Sequence, residues 1–315
     1  MTLQGLALSR STLDRAAERR ADPALVARLL ADPATAVLVL DGDRAAVEEG
    51  PDGPRLVLRP PQEALRIAGD APTVAAYLGQ DDAGVDHVLL AALRVEGAGE
   101  GLGDPGARWA GLREVGTTLD DTGAGLLTTG VALAHWHAVH PRCARCGEAT
   151  DVVQGGWARQ CPHCGAQHFP RTDPAVIMTV TDERGRLLLG RQATWPERRF
   201  STLAGFVEPG ESLEAAVRRE VLEEAGVVVG AVEYRGNQPW PFPASLMLGF
   251  AAVATSTDVH VDGTELTEAR WWTREEFEAD VASGALLLPP AVSIARRLIE
   301  AWYGGPVADA GGVWR

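Results

Sequence analysis

The sequence predicts an α/β chain in four successive parts. These are a β-rich N-terminal domain over 1–135, a compact Cys-bearing segment over 140–170, an α/β sandwich over 171–303 and a tail over 304–315. Two observations carry this. All four cysteines fall between 143 and 164, and the stretch after them alternates strand patterns with one strongly acidic helical pattern. A chain of 315 residues with 46% hydrophobic and 23% charged residues has the composition of a globular protein with more than one core.

The N-terminal part opens on a polar helical run, Leu13 to Leu30. Turn-separated β patterns follow at 35–41 (TAVLVLD), 55–58 (RLVL) and 87–93 (HVLLAAL). The Gly-rich stretch 97–107 reads as a loop, and Thr117 to His140 as a helix with Leu126, Val131, Leu133 and Trp136 as apolar members. No catalytic spacing occurs here, and no internal repeat. In the sandwich, two apolar runs flank a DERG turn at 175–192, a hairpin signal. Residues 211–226 read as a helix between an N-cap at Ser212 and a stop at Gly226. Strands follow at 227–234, 246–254 and 269–273, then a helix at 290–303; the tail after Gly304 is expected to be disordered.

Charge and composition exclude several chemistries. The net charge is −14, which argues against tight general binding of nucleic acid, although Arg142, Arg145, Arg159 and Arg171 make the Cys segment locally basic. All 29 cations are Arg, so a lysine Schiff base, P-loop lysine or lysine general base is excluded. No run reaches the ~18 apolar residues of a membrane helix. The opening MTLQGLALSR lacks a basic region followed by an apolar stretch, so a cytoplasmic protein is expected.

Cys143-Ala-Arg-Cys146 and Cys161-Pro-His-Cys164 form two CxxC knuckles. Each knuckle can place two thiolates about 2.3 Å from one Zn²⁺, and two knuckles close a tetrahedral site with no position for water. A structural zinc, one per subunit, is expected; redox pairs or free thiols are the competing readings.

The segment Gly205 to Val227 holds the densest chemistry. Glu220, Glu223 and Glu224 stand at i, i+3 and i+4, within one helical turn. Oxygen ligands at that density suit Mg²⁺ or Mn²⁺. The opposite face carries Leu213, Ala216, Val217 and Val221 for packing on a sheet. The competing reading is a solvated acidic face.

The surroundings of these glutamates resemble the Nudix box, G-x5-E-x7-R-E-U-x-E-E-x-G-U, where U is aliphatic. Gly205, Glu211, Arg219, Glu220, Val221, Glu223, Glu224, Gly226 and Val227 match every defined position. The segment Asn237-Gln238-Pro239-Trp240-Pro241-Phe242-Pro243-Ala244-Ser245 is similar to SQPWPFPxS, which marks the NudC-type NADH pyrophosphatases within that superfamily; Asn237 replaces the first Ser. The Cys₄ segment directly before the sandwich is a second mark of that group, while residues 1–110 match it only in placement.

The resemblance implies a Nudix α/β/α sandwich at the C-terminus, a central zinc ribbon, and hydrolysis of the pyrophosphate bond of NAD(H) to NMN(H) and AMP. It also implies action on RNA with a 5′ NAD cap, releasing NMN and leaving 5′-monophosphate RNA, and a homodimer whose subunits share the active site. Arg219 is expected to pair with Glu211 and brace the loop. Divalent ions held by Glu220, Glu223, Glu224 and Glu265, with the main chain of Ala204, would neutralise the diphosphate and acidify a bound water. Glu224 and Glu265 are both candidates for the general base. Substrate contacts are expected from Gln238 to Ser245, from Phe206 beside a nicotinamide or adenine ring, and from Arg113 and Ala295. Phe169 stands where relatives have Tyr, keeping the ring without the hydroxyl.

Read alone, Gln238 to Ser245 is an extended, rigid segment whose Trp240 and Phe242 rings point to one side. Two other functional readings remain from sequence. One is a Nudix hydrolase of ADP-ribose or another ADP-linked compound. The other is a zinc-ribbon nucleic-acid-binding or regulatory protein with an inert Nudix domain, against which the intact box glutamates count.

Overall fold

A computed structural model describes residues 2–51, 53–69, 73–92, 108–261 and 263–307. Residue 93 of the third expected N-terminal strand, the expected loop at 97–107 and residues 308–315 of the expected tail lie outside these. The chain divides into two compact units: Leu8–Thr172 with Pro239–Ala244, and Met1–Ala7 with Asp173–Gln238 and Ser245–Arg315.

In the first unit, α1 (Leu25–Ala31) precedes a sheet of β1 (Ala36–Asp41), β2 (Arg44–Gly50), β3 (Gly53–Leu56), β4 (Thr73–Gln80), β5 (Asp86–Ala92) and β6 (Arg108–Gly111). Helix α2 (Pro61–Ala68) lies between β3 and β4 in sequence. The strand order is β3-β2-β1-β5-β4, with β6 on β2. Strands β1 and β5 are parallel, in register from Ala36↔His87 to Asp41↔Ala92. A central parallel pair is buried on both faces, so it reads as a continuous apolar run. Val37, Val39, Val88 and Leu90 pack with Leu25 and Leu29 of α1 and Ala64 and Ile67 of α2. Leu38, Leu40 and Leu89 point the other way, toward Gly130 on α4 (Asp121–Val139), where a Cβ would come within 3.1–3.4 Å of them.

Helix α4 starts four residues later than its sequence pattern, because the Asp120 carboxylate accepts the Gly123 N–H at 2.6 Å and caps it there. A short α3 (Leu112–Val115) precedes it. The polar helical start resolves into a 3₁₀ turn (Ala17–Ala21) and α1. Strands β2, β4 and β6 and helix α2 have no counterpart among the sequence expectations: the short Ala- and Gly-containing strand runs carry little periodic contrast, while α2 is amphipathic but only eight residues long.

The ribbon consists of β7 (Asp151–Val153), β8 (Ala158–Gln160) and β9 (Gln167–His168), paired in that order. Buried His137 of α4 meets it: Nε2–H donates to Gly156 O at 2.9 Å and Nδ1 accepts from Arg159 Nη1 at 3.0 Å. Burial pushes the imidazole pKa down to about 4, which keeps the ring neutral and lets one nitrogen donate while the other accepts. Arg159 also donates to Thr150 Oγ1 and Thr150 O, so this buried cation is satisfied.

The second unit holds β10 (Asp173–Thr181), β11 (Leu187–Gln192), β12 (Leu203–Phe206), α5 (Leu213–Ala225), β13 (Val229–Trp240), β14 (Ser245–Ala254), β15 (Leu266–Trp272), α6 (Arg274–Ser283) and α7 (Ile294–Tyr303). Only the last two residues of β13 belong to the other unit. The sheet runs β13-β14-β10-β11-β15, with β12 on β10. Alternation on β10 sends Val176, Met178 and Val180 against Ala216, Val217 and Val221 of α5. Ile177 faces Ile294, Ala295 and Leu298 of α7. Helices therefore cover both faces, and the expected α/β/α sandwich is what the chain forms.

Helix α6 was not read from sequence, although Thr273 and Glu276 make a reciprocal capping box at its start. Helix α7 begins at Ile294 rather than Pro290, because the Ser293 hydroxyl accepts the Ala295 N–H at 3.2 Å. Beyond Gly304, where disorder was expected, Val307 packs on the cluster around Phe277 and its carbonyl accepts from buried Arg296.

Candidate active site

Helix α5 is framed by its caps. The Ser212 hydroxyl accepts the Ala215 N–H at 3.2 Å, and Gly226 closes the helix with φ 68°, a left-handed conformation suited to glycine. Within it, Glu220 and Glu224 are buried while Glu223 is exposed. The carboxylates of Glu220, Glu224 and Glu265 offer oxygens that all lie within 4.8 Å of one another. Glu223 is not in this group; its carboxylate accepts from Arg219 Nη1 at 3.0 Å.

Arg219 ties the preceding loop to the helix. Its Nε and Nη2 donate to the two oxygens of Glu211, each at 2.9 Å, and Nη1 donates to Glu220 at 2.8 Å. Nη2 also reaches the carbonyl of Phe206 at 2.9 Å. A planar guanidinium suits such a paired geometry. The bonds from Arg219 hold the Glu211 carboxyl below its ordinary range. Glu220 shifts the other way: burial raises its pKa against the lowering effect of Arg219, and the charges of Glu223 and Glu265 raise it further. A carboxylate so placed has a surplus of negative charge beside it, which a bound cation would relieve.

Backbone geometry sets the approach. Gly205, on β12, lies against Glu220 so closely that an added Cβ would fall 1.9 Å from the carboxyl carbon. Ala204 pairs with Ile177 on β10, and its side chain packs beside the Leu6–Ile294 cluster. The Phe206 ring is 59% exposed on this unit, and Phe169 is 58% exposed on the other, so both rings are open to a ligand. Ala295 is buried in the Ile177–Leu298 cluster.

The proline-rich segment differs from its expected extended form. Strand β13 continues to Trp240, and Pro241–Ala244 then turn. Pro241 and Pro243 have no N–H to continue a ladder, and the Phe242 N–H bonds back to Trp240 O at 2.8 Å. The two rings accordingly meet edge to face, centroids 5.0 Å apart, instead of standing side by side. Arg113 lies over the Phe242 ring at 4.1 Å and over Trp240 at 5.7 Å. Gln238 is fully buried and donates to Val292 O at 2.9 Å, and Ser245 opens β14 opposite Asp173.

In the ribbon, the four Sγ atoms lie within 4.8 Å of one another. Cys143 faces Cys164 at 3.6 Å and Cys146 faces Cys161 at 3.5 Å. Each knuckle turns on a glycine of positive φ, Gly147 and Gly165, whose N–H bonds to the carbonyl of Cys143 or Cys161 at 2.9 Å. N–H groups of Arg145 and Cys164 point at sulfur, a donor set that favours thiolates.

Three families match the chain in succession. Residues 34–136 match the NADH pyrophosphatase-like rudimentary NUDIX domain, 139–169 the NADH pyrophosphatase zinc ribbon domain, and 171–295 the NUDIX domain. The chain is 41% identical over 307 residues to the NAD-capped RNA hydrolase NudC of Mycobacterium bovis (strain BCG / Pasteur 1173P2), covering 94% of each. The chain belongs to the NudC-type NADH pyrophosphatases of the Nudix superfamily. It is also 40% identical over 307 residues to the NAD-capped RNA hydrolase NudC of Mycobacterium tuberculosis H37Rv, again covering 94% of each. With the human NAD-capped RNA hydrolase NUDT12 it shares 44% identity over 196 residues, 58% of this chain and 42% of that one.

The N-terminal match explains a fold that sequence patterns described only as β-rich: it is a mixed sheet between helices, as in the C-terminal Nudix sandwich. The Cys₄ ribbon fits a closed structural zinc. Zinc analysis of the purified protein is expected to find about one Zn²⁺ per chain. Cys161→Ser should lower both zinc content and melting temperature. Full occupancy with unchanged melting would show that the ligand set is wrong. Among the described residues, no helix is long and apolar enough to cross a membrane.

Proposed function

We propose that the chain hydrolyses the pyrophosphate bond of NAD(H), giving NMN(H) and AMP, and removes NAD caps from RNA 5′ ends. The carrying observation is the convergence of Glu220, Glu224 and Glu265 beside the Arg219–Glu211 brace. These oxygen donors fit Mg²⁺ or Mn²⁺, with Glu223 on the same helical turn and the Ala204 main chain as further ligands. A divalent ion there supplies charge neutralisation of the diphosphate and an acidified water. Arg219 fixes the helix and loop so that the glutamates keep their spacing. Glu224 or Glu265 takes the proton from the attacking water. Phe206, Phe169, Arg113 and the segment Pro239, Trp240, Pro241, Phe242, Pro243, Ala244 and Ser245 form the substrate contacts, with Gln238 and Ala295, whose side chains are buried, supporting them from behind. The reading includes a cytoplasmic homodimer. The NudC names of relatives covered over 94% of their length support the NAD-cap hydrolysis.

The test compares kcat/KM for NADH, NAD⁺, ADP-ribose and NAD-capped RNA, each with Mg²⁺ and with Mn²⁺. NADH or capped RNA is expected to exceed ADP-ribose; a preference for ADP-ribose would replace this reading with an ADP-sugar hydrolase. Trp240→Ala is expected to lower kcat/KM for NADH by ~10-fold or more, since base–aromatic stacking is worth ~1–3 kcal/mol. ADP-ribose should lose less, because it lacks the nicotinamide. Equal losses would place Trp240 on the adenosine half or in the core.

A further inference from the structure

His135 is half-buried on α4, and neither its helix pattern nor the Nudix signatures single it out. Its Nδ1 lies 2.8 Å from the carbonyl oxygen of Pro241. A carbonyl only accepts, so Nδ1 carries the proton and the imidazole donates. The ring also meets Phe242 edge-on, with centroids 6.4 Å apart. Arg113 covers the same Phe242 ring from α3. Residues 239–244 cluster with Leu8–Thr172, so these contacts lie within a single compact unit.

The turn has few internal restraints. Pro241 and Pro243 bring no N–H, and Phe242 N–H is committed to Trp240 O. The Pro241 carbonyl is therefore a natural handle for an outside donor. We propose that His135 is a positioning residue for substrate choice: by holding Pro241 O, it fixes the orientation in which the Trp240–Phe242 turn meets the dinucleotide. His135 lies within the rudimentary NUDIX match at 34–136 and acts on a turn of its own compact unit. This rests on the proposed NADH reading, in which Trp240 and Phe242 contact substrate.

The test uses the full-length chain with Mn²⁺, and NADH and ADP-ribose as substrates. Loss of one neutral hydrogen bond predicts that His135→Ala raises KM for NADH by about 3- to 10-fold, with kcat within ~2-fold of wild type. His135→Asn, whose amide nitrogen reaches the place of Nδ1, should restore most of the loss. His135→Gln, one methylene longer, should resemble Ala and provides the comparison if the Ala variant fails to fold. In a Trp240→Ala background, His135→Ala should add little, because both act on one turn. Unchanged KM in His135→Ala and His135→Gln, fully additive losses, or a fall confined to kcat would each overturn the inference. A wild-type chain that turns over ADP-ribose and not NADH would instead remove the reading beneath it.

Discussion

Glu224→Gln is expected to lower kcat by at least ~10²-fold, with the melting temperature changed by no more than a few degrees. Gln is close to Glu in size, so the buried position on α5 stays filled and the cap at Ser212 is untouched. What disappears is one negative charge from the set of Glu220, Glu224 and Glu265. A divalent cation loses affinity with each anionic ligand removed, and the site loses a group able to take a proton from water. Measuring kcat across a Mn²⁺ titration separates the two losses. Activity restored by saturating metal would make Glu224 a ligand only, and persistent loss would add the proton-transfer role. Wild-type turnover across the whole Mn²⁺ titration, limiting metal included, would remove Glu224 from the machinery altogether.

What sequence makes legible here is chemistry of fixed spacing. CxxC pairs, the i, i+3, i+4 glutamates and the Arg219–Glu211 separation depend on local geometry, and local geometry follows from the order of residues. Sequence spacing could not distinguish Glu223 from its neighbours. All three glutamates lie within one turn, but only Glu220 and Glu224 turn inward, while Glu223 goes to Arg219. Glu265 illustrates the opposite case. No periodicity connects it to α5, and its place came from family resemblance; in the structure it lies just before β15, within reach of both buried glutamates.

Longer-range features were less legible for physical reasons. The extended reading of the proline-rich segment followed from the fixed φ of proline, yet two missing N–H groups also remove strand donors, and the chain turns after Trp240. His135 had no signal because a half-buried helical histidine gains meaning only from the carbonyl opposite it. The N-terminal strands β2 and β4 carry short Ala-rich runs whose burial is set by neighbouring strands, so their tertiary context decides their state.

Gly205→Ala is the second large effect, and it tests the backbone rather than the ligands. A Cβ at this position would lie 1.9 Å from the Glu220 carboxyl carbon and 2.0 and 2.2 Å from its oxygens. Contacts under 3 Å are not tolerated, so either β12 or the Glu220 side chain must move. Moving β12 strains its pairing with β10, where Gly205 lies opposite Val176. The carboxylate is the cheaper part to displace, but it is held by Arg219 Nη1 and turning it away breaks that bond. Either response carries the Glu220 oxygens away from Glu224 and Glu265. A shift of ~1 Å at a reacting centre can cost ~10²-fold in rate. Gly205→Ala is therefore expected to lower kcat/KM for NADH by ~10²-fold and to weaken Mn²⁺ binding by calorimetric titration. The zinc content should stay at the wild-type level, since the ribbon ligands are all elsewhere in the chain. Wild-type Mn²⁺ affinity together with wild-type turnover would mean that Glu220 relaxes without consequence, and the three-carboxylate site would lose one of its two buried members.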